Sequence, residues 1–447
     1  MDADRVAADA ATRYLAGLDE RRVAPPADAV SRLAELGGPL PDAPCDPTEV
    51  VRLLDEIAGP ATVASAGGRY FGFVTGSTLP AARAAARLVS AWDQNACMTV
   101  MSPAAAELER IAGRWLLDVL GFPATAAVGF VTGATMGNLT ALAAARHAVL
   151  ARRGWDVEAQ GLAGAPPLRV IVGDEVHVSL LKALALLGLG RDRVERVAVD
   201  GEGRLRADAV PDLDDTTILC LQAGNVNTGA SDPLADVVPR AHEAGAWVHV
   251  DGAFGLWLAA APARAHLVAG IDGADSWSTD GHKWLNVPYD CGVAHCRDPE
   301  PLVAAMSATA AYLPSGVHPD AFQYAPEMSR RARGVEVWAA LRSLGRGGVA
   351  DLVERTCRLA TRFASGLQDA GHEILNAVVA NQVLVSFGSD DKTRRVVEAV
   401  QADGTCWCGS TVWQGRTAMR VSVSSWATTE EDVDRSLDAI TRLAAAH

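Results

Sequence analysis

Between residues 61 and 310, short apolar runs alternate with helical stretches, and this alternation limits the possible folds more than any other feature of the chain. VGFVT (128–132) precedes MGNLTALAAARHAVLARR, LRVIVGD (168–174) precedes VSLLKALALLG, and TTILCLQAG (216–224) precedes LADVVPRAHEAG. AWVHVDGA (246–253), DSWSTD (275–280) and CGVAHCR (291–297) follow. Parallel strands cannot be joined by a tight turn; each needs a long crossover, usually a helix. The alternation predicts an α/β domain with a mostly parallel sheet. Ligands of such sheets bind beyond the carboxyl ends of the strands. Polar residues that close the runs are therefore the first candidates for chemistry.

A chain of 447 residues exceeds one core, and its character changes twice. Residues 1–60 read as a helical arm punctuated by prolines, with Asp46 and Pro47 opening DPTEVVRLLDEIAG. Residues 61–314 form the expected large domain. Residues 315–447 read as a smaller α+β domain, with strands in NQVLVSFG and TAMRVSVSSWA and a last helix in TEEDVDRSLDAITRLAAA.

The net charge is −14 with no basic block, which argues against nucleic acid or an anionic membrane as the partner. No stretch of about 18 uninterrupted apolar residues offers a membrane span. The start, MDADRVAADAATRYL, lacks the basic and then apolar pattern of a secretion signal. The eight cysteines are scattered, and C-x-C at Cys406 and Cys408 has no nearby partners. They read as free thiols of a reducing cytoplasm, and no metal site is expected.

Three constellations carry candidate chemistry. In GFVTGATMGNLTAL a strand ends at Thr132, and Gly133 and Ala134 turn into a helix. Backbone N–H groups there, with the Thr135 hydroxyl, form a phosphate cradle. A small-residue strand-to-helix turn needs no ligand to explain it, and both readings stand at this point. In HVDGAFG, Asp251 ends an apolar strand and either caps a turn or pairs with a cationic ring nitrogen. In STDGHKWLNVPYDCG, Lys283 follows a strand between His282 and Trp284. A lysine so placed is either a surface charge or an amine kept available for Schiff-base chemistry.

A phosphate cradle, then an acidic strand end, then a lysine is the order that pyridoxal phosphate enzymes of the aspartate aminotransferase fold require. Here the chain resembles the group II pyridoxal-phosphate-dependent amino acid decarboxylases, which include aromatic amino acid and glutamate decarboxylases. The resemblance rests on TGATMGN, DEVHVSLLKALALLG, GNVNTGASDP, HVDGAFG and DGHKWLNVPYDCG, and runs from about Tyr70 to the C-terminus. It implies fold type I, with a mostly parallel seven-stranded sheet in the large domain. It also implies pyridoxal 5′-phosphate as cofactor and a homodimer with active sites at the interface. By the same resemblance Lys283 holds the cofactor covalently, Asp251 pairs with its ring nitrogen and Ala253 packs below the ring. His177 stacks on the ring and meets the substrate carboxylate, while Gly133, Ala134, Thr135 and His282 surround the phosphate. Tyr312, in AAYLPSG, matches a loop tyrosine that protonates the substrate carbon after carbon dioxide leaves; a loop anchor is the competing reading.

The chain departs from the family pattern in places. Met136 replaces the acidic residue of the phosphate-turn helix, and Asp280 stands where some relatives carry Asn, its role open. Asn95 and Cys97 occupy expected pocket positions with polar or small side chains, which disfavours an aromatic substrate. Arg420 is a candidate carboxylate partner, with a surface salt bridge as the alternative. The resemblance predicts amino acid decarboxylation. Its rivals are transamination, carbon–carbon lysis, aldehyde synthesis on the same cofactor, or a silent binding protein.

Overall fold

The computed structural model describes residues 2–308 and 319–447, which form two compact units. The larger comprises residues 78–358 and 376–382; the other comprises 1–77, 359–375 and 383–447.

The larger unit is built on seven strands. They are β1 (Ala127–Val131), β2 (Arg169–Gly173), β3 (Glu195–Val197), β4 (Thr217–Gln222), β5 (Trp247–Asp251), β6 (Ser276–Asp280) and β7 (Gly292–Cys296). Their spatial order is β1-β7-β6-β5-β4-β2-β3. β7 is antiparallel to both its neighbours; β2, β3, β4, β5 and β6 pair in parallel. The expected mostly parallel sheet is present, with one reversed strand that enters directly from the Lys283 turn. Strands β4, β5, β6 and β7 are buried along nearly their whole length, as sheets covered on both faces require.

The helix Ala134–Ala151 follows β1 and covers one face of the sheet. Its alanines favour helix and are small, and Ala141, Ala143, Ala144 and Ala145 are all buried. Close approach is required at Gly137, where a Cβ would lie 3.0 Å from the Ser278 Cβ and 3.3 Å from the Val293 carbonyl oxygen. This contact presses the helix onto β6 and β7 and brings its first turn to the carboxyl ends of the strands.

The other unit holds a four-stranded sheet of order β10-β11-β9-β8, formed by β8 (Glu373–Ile374), β9 (Gln382–Ser386), β10 (Gly409–Trp413) and β11 (Arg416–Ser422). The helix Asp390–Asp403 packs beside it, and the helix Glu430–Ala446 packs on that helix. The helix Pro47–Leu53 opens as expected, with the Asp46 carboxylate accepting from Thr48 N at 2.7 Å. The boundaries of the units differ from divisions at 60 and 314. Residues up to 77 group with the C-terminal segment, because Tyr70 stacks on Trp407 with ring centroids 5.2 Å apart and Phe71 N donates to the Trp407 carbonyl. Residues 319–358 group with the larger unit, where Arg330 makes a buried two-point ion pair with Glu109. No described helix is long and apolar enough to cross a membrane.

Candidate active site

Asp251 is the last residue of β5 and Asp280 the last of β6, so two carboxylates stand at adjacent strand ends. β1 ends one residue before Thr132, and Gly133 caps the helix Ala134–Ala151. β7 begins so close to this turn that a Cβ on Gly292 would lie 2.5 Å from Gly133 backbone atoms. Glycine at 292 is therefore a packing requirement that brings the helix start and the lysine turn together.

The H-K-W triplet divides its labour. Trp284 is only 1% exposed, and its Nε1 donates to Thr356 Oγ1 at 2.8 Å. The Cys291 carbonyl accepts from both Gly281 N and His282 N, and the Asn286 carbonyl accepts from Leu79 N. With the turn anchored at Trp284, Lys283 reaches the cavity beside it. Its Nζ lies 2.9 Å from Asp280 Oδ2. Asp280 Oδ1 accepts from Ala134 N at 2.6 Å, and His282 Nε2 lies 3.5 Å from the same oxygen. One carboxylate thus joins the helix start, the histidine and the lysine. This arrangement answers the open question of Asp280, and it also uses an N–H that the sequence had assigned to the phosphate cradle.

Burial lowers the His282 imidazole below its ordinary value, as does the Lys283 cation, with Asp280 opposing. Its Nδ1 accepts from Cys291 N at 3.2 Å, which leaves the proton on Nε2, towards Asp280. His177 caps the helix Val178–Leu186; its Nδ1 takes the Ser179 N–H at 3.3 Å and meets Ser179 Oγ at 2.7 Å. Nδ1 is the acceptor, so the neutral ring carries its proton on Nε2.

A cavity of about 360 Å³ is lined by Thr132, Gly133, Ala134, Thr135, Met136, His177, Ser179, Asp280, His282 and Lys283. His177 also walls a water-sized space of about 10 Å³ that Asp251 lines. Asp251 is 4% exposed. Its Oδ2 accepts from Asn138 Nδ2 at 2.9 Å and its Oδ1 from Ala253 N at 3.1 Å.

Most of the residues expected from the sequence therefore converge: Lys283, His282, His177 and the 133–135 turn share one cavity, and Asp251 with Ala253 lies at the adjoining strand end. Asn95 and Cys97 do not line that cavity. The Asn95 carboxamide is engaged in backbone, its Oδ1 accepting from Cys97 N and Arg330 N, both at 3.1 Å. Cys97 is buried, 3% exposed. Arg420 lies on β11, in the other compact unit, where burial lowers its guanidinium from the ordinary value. Tyr312 falls outside the described residues. Sequence reasoning missed Asn138 and His249, whose signal was no more than a polar residue inside a buried helix and a buried strand.

The set fits pyridoxal phosphate on its chemistry. An amine, a buried carboxylate held by N–H donors, and a helix start free of side-chain bulk meet the needs of its aldehyde, ring nitrogen and phosphate. A family model described as "Pyridoxal-dependent decarboxylase conserved domain" matches residues 69–389. The chain is 27% identical over 398 residues to tryptophan decarboxylase 1 of Oryza sativa subsp. japonica, covering 80% of this chain and 76% of that protein. It is 29% identical over 380 residues to L-2,4-diaminobutyrate decarboxylase of Rhizobium meliloti (strain 1021), covering 80% and 74%. The crystal structure of Oryza sativa TDC with PLP and tryptamine superimposes with a TM-score of 0.90 at 23% identity, covering 99% of this chain and 97% of that one.

Proposed function

The chain belongs to the pyridoxal-dependent decarboxylase family and is a pyridoxal-phosphate-dependent amino acid decarboxylase, and from that premise we propose which of its residues do the work. When bound, the cofactor supplies the electron sink for the pair left on the substrate carbon as carbon dioxide departs. Lys283 is the amine that holds it. The observation that carries this reading is Lys283 Nζ in the cavity at 2.9 Å from Asp280 Oδ2. Before that nitrogen attacks a carbonyl its proton must leave, and Asp280 Oδ2 is the acceptor in reach.

Asp251 would pair with the ring nitrogen of the cofactor, and Ala253 would pack below the ring. Gly133, Ala134, Thr135 and His282 would hold the phosphate, sharing the helix start with Asp280. His177, fixed at Nδ1 by Ser179, keeps its Nε2 proton to offer to the substrate carboxylate. That contact would set which bond on the substrate carbon breaks.

Tyr312 is the proposed proton donor to the substrate carbon. Substrates are to be screened among the proteinogenic amino acids, 2,4-diaminobutyrate and dihydroxyphenylalanine, with carbon dioxide, amine and aldehyde measured separately. Carbon dioxide and amine in equal amounts are expected from the wild-type protein. Tyr312→Phe is expected to lose amine and yield some aldehyde and peroxide; an unchanged product ratio would make Tyr312 structural.

A homodimer in the cytoplasm completes the proposal. The segment from Leu88 to Met101 exposes Leu88, Trp92, Val100 and Met101, more large apolar surface in one place than isolated exposure explains. Light scattering should give twice the chain mass; the mass of one chain would refute the dimer. Seven of the eight free cysteines are buried, which suits a reducing compartment.

A further inference from the structure

Five buried side chains form an unbroken line of hydrogen bonds that ends on Asp251. Trp247 Nε1 donates to Ser276 Oγ at 3.0 Å. Ser276 Oγ lies 2.9 Å from His249 Nδ1, and His249 Nε2 lies 2.9 Å from Asn138 Oδ1. Asn138 Nδ2 reaches Asp251 Oδ2 at 2.9 Å, and Ser278 Oγ also donates to Asn138 Oδ1. Every member is at most 4% exposed.

The ends of this line dictate its direction. An indole N–H only donates, and a carboxylate only accepts. Ser276 takes the indole proton and turns its own towards His249 Nδ1. The His249 proton must then sit on Nε2 and point to the Asn138 carbonyl oxygen. That oxygen, with two donors on it, forces the Asn138 amide to face Asp251 with N–H. A flipped amide would set its oxygen against the carboxylate and its N–H₂ against the His249 N–H. Burial takes the His249 imidazole down to about 3, so it stays neutral. Each bond here polarises the next in a low-dielectric interior.

We propose that Trp247, Ser276, His249 and Asn138 are positioning residues that lock the Asn138 amide and thereby hold Asp251 as an oriented anion for the cofactor ring nitrogen. The inference rests on the ring-nitrogen role proposed for Asp251. Without the lock, the Asn138 amide could turn and set its oxygen against the Asp251 carboxylate.

The test compares His249→Leu, His249→Gln and Ser276→Ala with wild type. Apoprotein is titrated with pyridoxal phosphate by fluorescence, and kcat and KM are measured on the loaded enzyme. His249→Leu is expected to raise the cofactor Kd about fivefold, the effect of losing one neutral hydrogen bond. It should lower kcat by a similar factor while KM for the substrate stays within about twofold. His249→Gln carries an N–H donor to the Nε2 position and should recover most of both losses. A Kd and kcat unchanged in His249→Leu, or equal losses in His249→Leu and His249→Gln, would overturn the proposal. If His249→Leu does not fold, Ser276→Ala decides: a weakened cofactor supports the line, and an unchanged Kd refutes it. Asp251→Asn is run alongside. If that variant binds and turns over as wild type, the reading of Asp251 fails; if it is impaired while His249→Leu is not, the line alone fails.

Discussion

Lys283→Ala is expected to abolish decarboxylation, with kcat down by at least about 10⁴-fold, because the covalent nucleophile acts as a unit with the rest of the site. Cofactor binding should survive in weakened form. The helix start, His282 and Asp251 remain, but Asp280 Oδ2 would lose the cation now 2.9 Å away and face the phosphate as an uncompensated anion. The composition makes the covalent assignment unusually clean. The chain has only three lysines, Lys182, Lys283 and Lys392. Lys182 lies in the helix Val178–Leu186 and Lys392 in Asp390–Asp403, and neither lines the cavity. Borohydride reduction of the loaded wild-type protein should place the label on the Lys283 peptide and remove the cofactor's visible absorbance. Label elsewhere, or near wild-type turnover in Lys283→Ala, would end the assignment.

That lysine was legible because its neighbours advertise it. A strand, a histidine, a tryptophan and a proline-bounded turn are local features, and the structure gives each a local job: Trp284 anchors, Lys283 reaches out. The alternation of runs likewise foretold the sheet, since parallel pairing imposes long crossovers that leave a mark on sequence. What stayed hidden depends on contacts between distant segments. His249 alternates with valines inside WVHVD and reads as strand filling. Asn138 sits in an alanine-rich helix and reads as a core exception. Their meaning exists only where Gly137 lets the helix close on β6. Asn95 was equally unreadable: its amide oxygen holds loop backbone at Cys97 and also at Arg330, more than two hundred residues away. The arm failed to show its association with the C-terminal segment because stacking of Tyr70 on Trp407 joins residues more than three hundred apart.

Asp251 carries the second large expectation, and it requires two substitutions to be read. Asp251→Ala removes the charge and also strands two donors, the buried Asn138 Nδ2 and the partly buried Ala253 N. Each stranded donor costs about 1–3 kcal/mol, so this variant should melt earlier as well as turn over slowly. Asp251→Asn keeps one oxygen acceptor but turns an N–H₂ towards the other donor, so it should melt earlier than wild type yet later than Asp251→Ala. If the anion serves the ring nitrogen, kcat should fall in both variants by about 10²–10³-fold, the range for removing one preorganised electrostatic partner. Substrate KM should change far less, because the charge acts on the pair that develops as the bond breaks and not on the resting substrate. If Asp251 merely caps the turn at Ala253, the order reverses: Asp251→Ala is crippled through stability while Asp251→Asn keeps kcat within about threefold of wild type. Melting curves and kcat for the same two proteins therefore separate a charge that works on the reaction from a carboxylate that only holds the strand end.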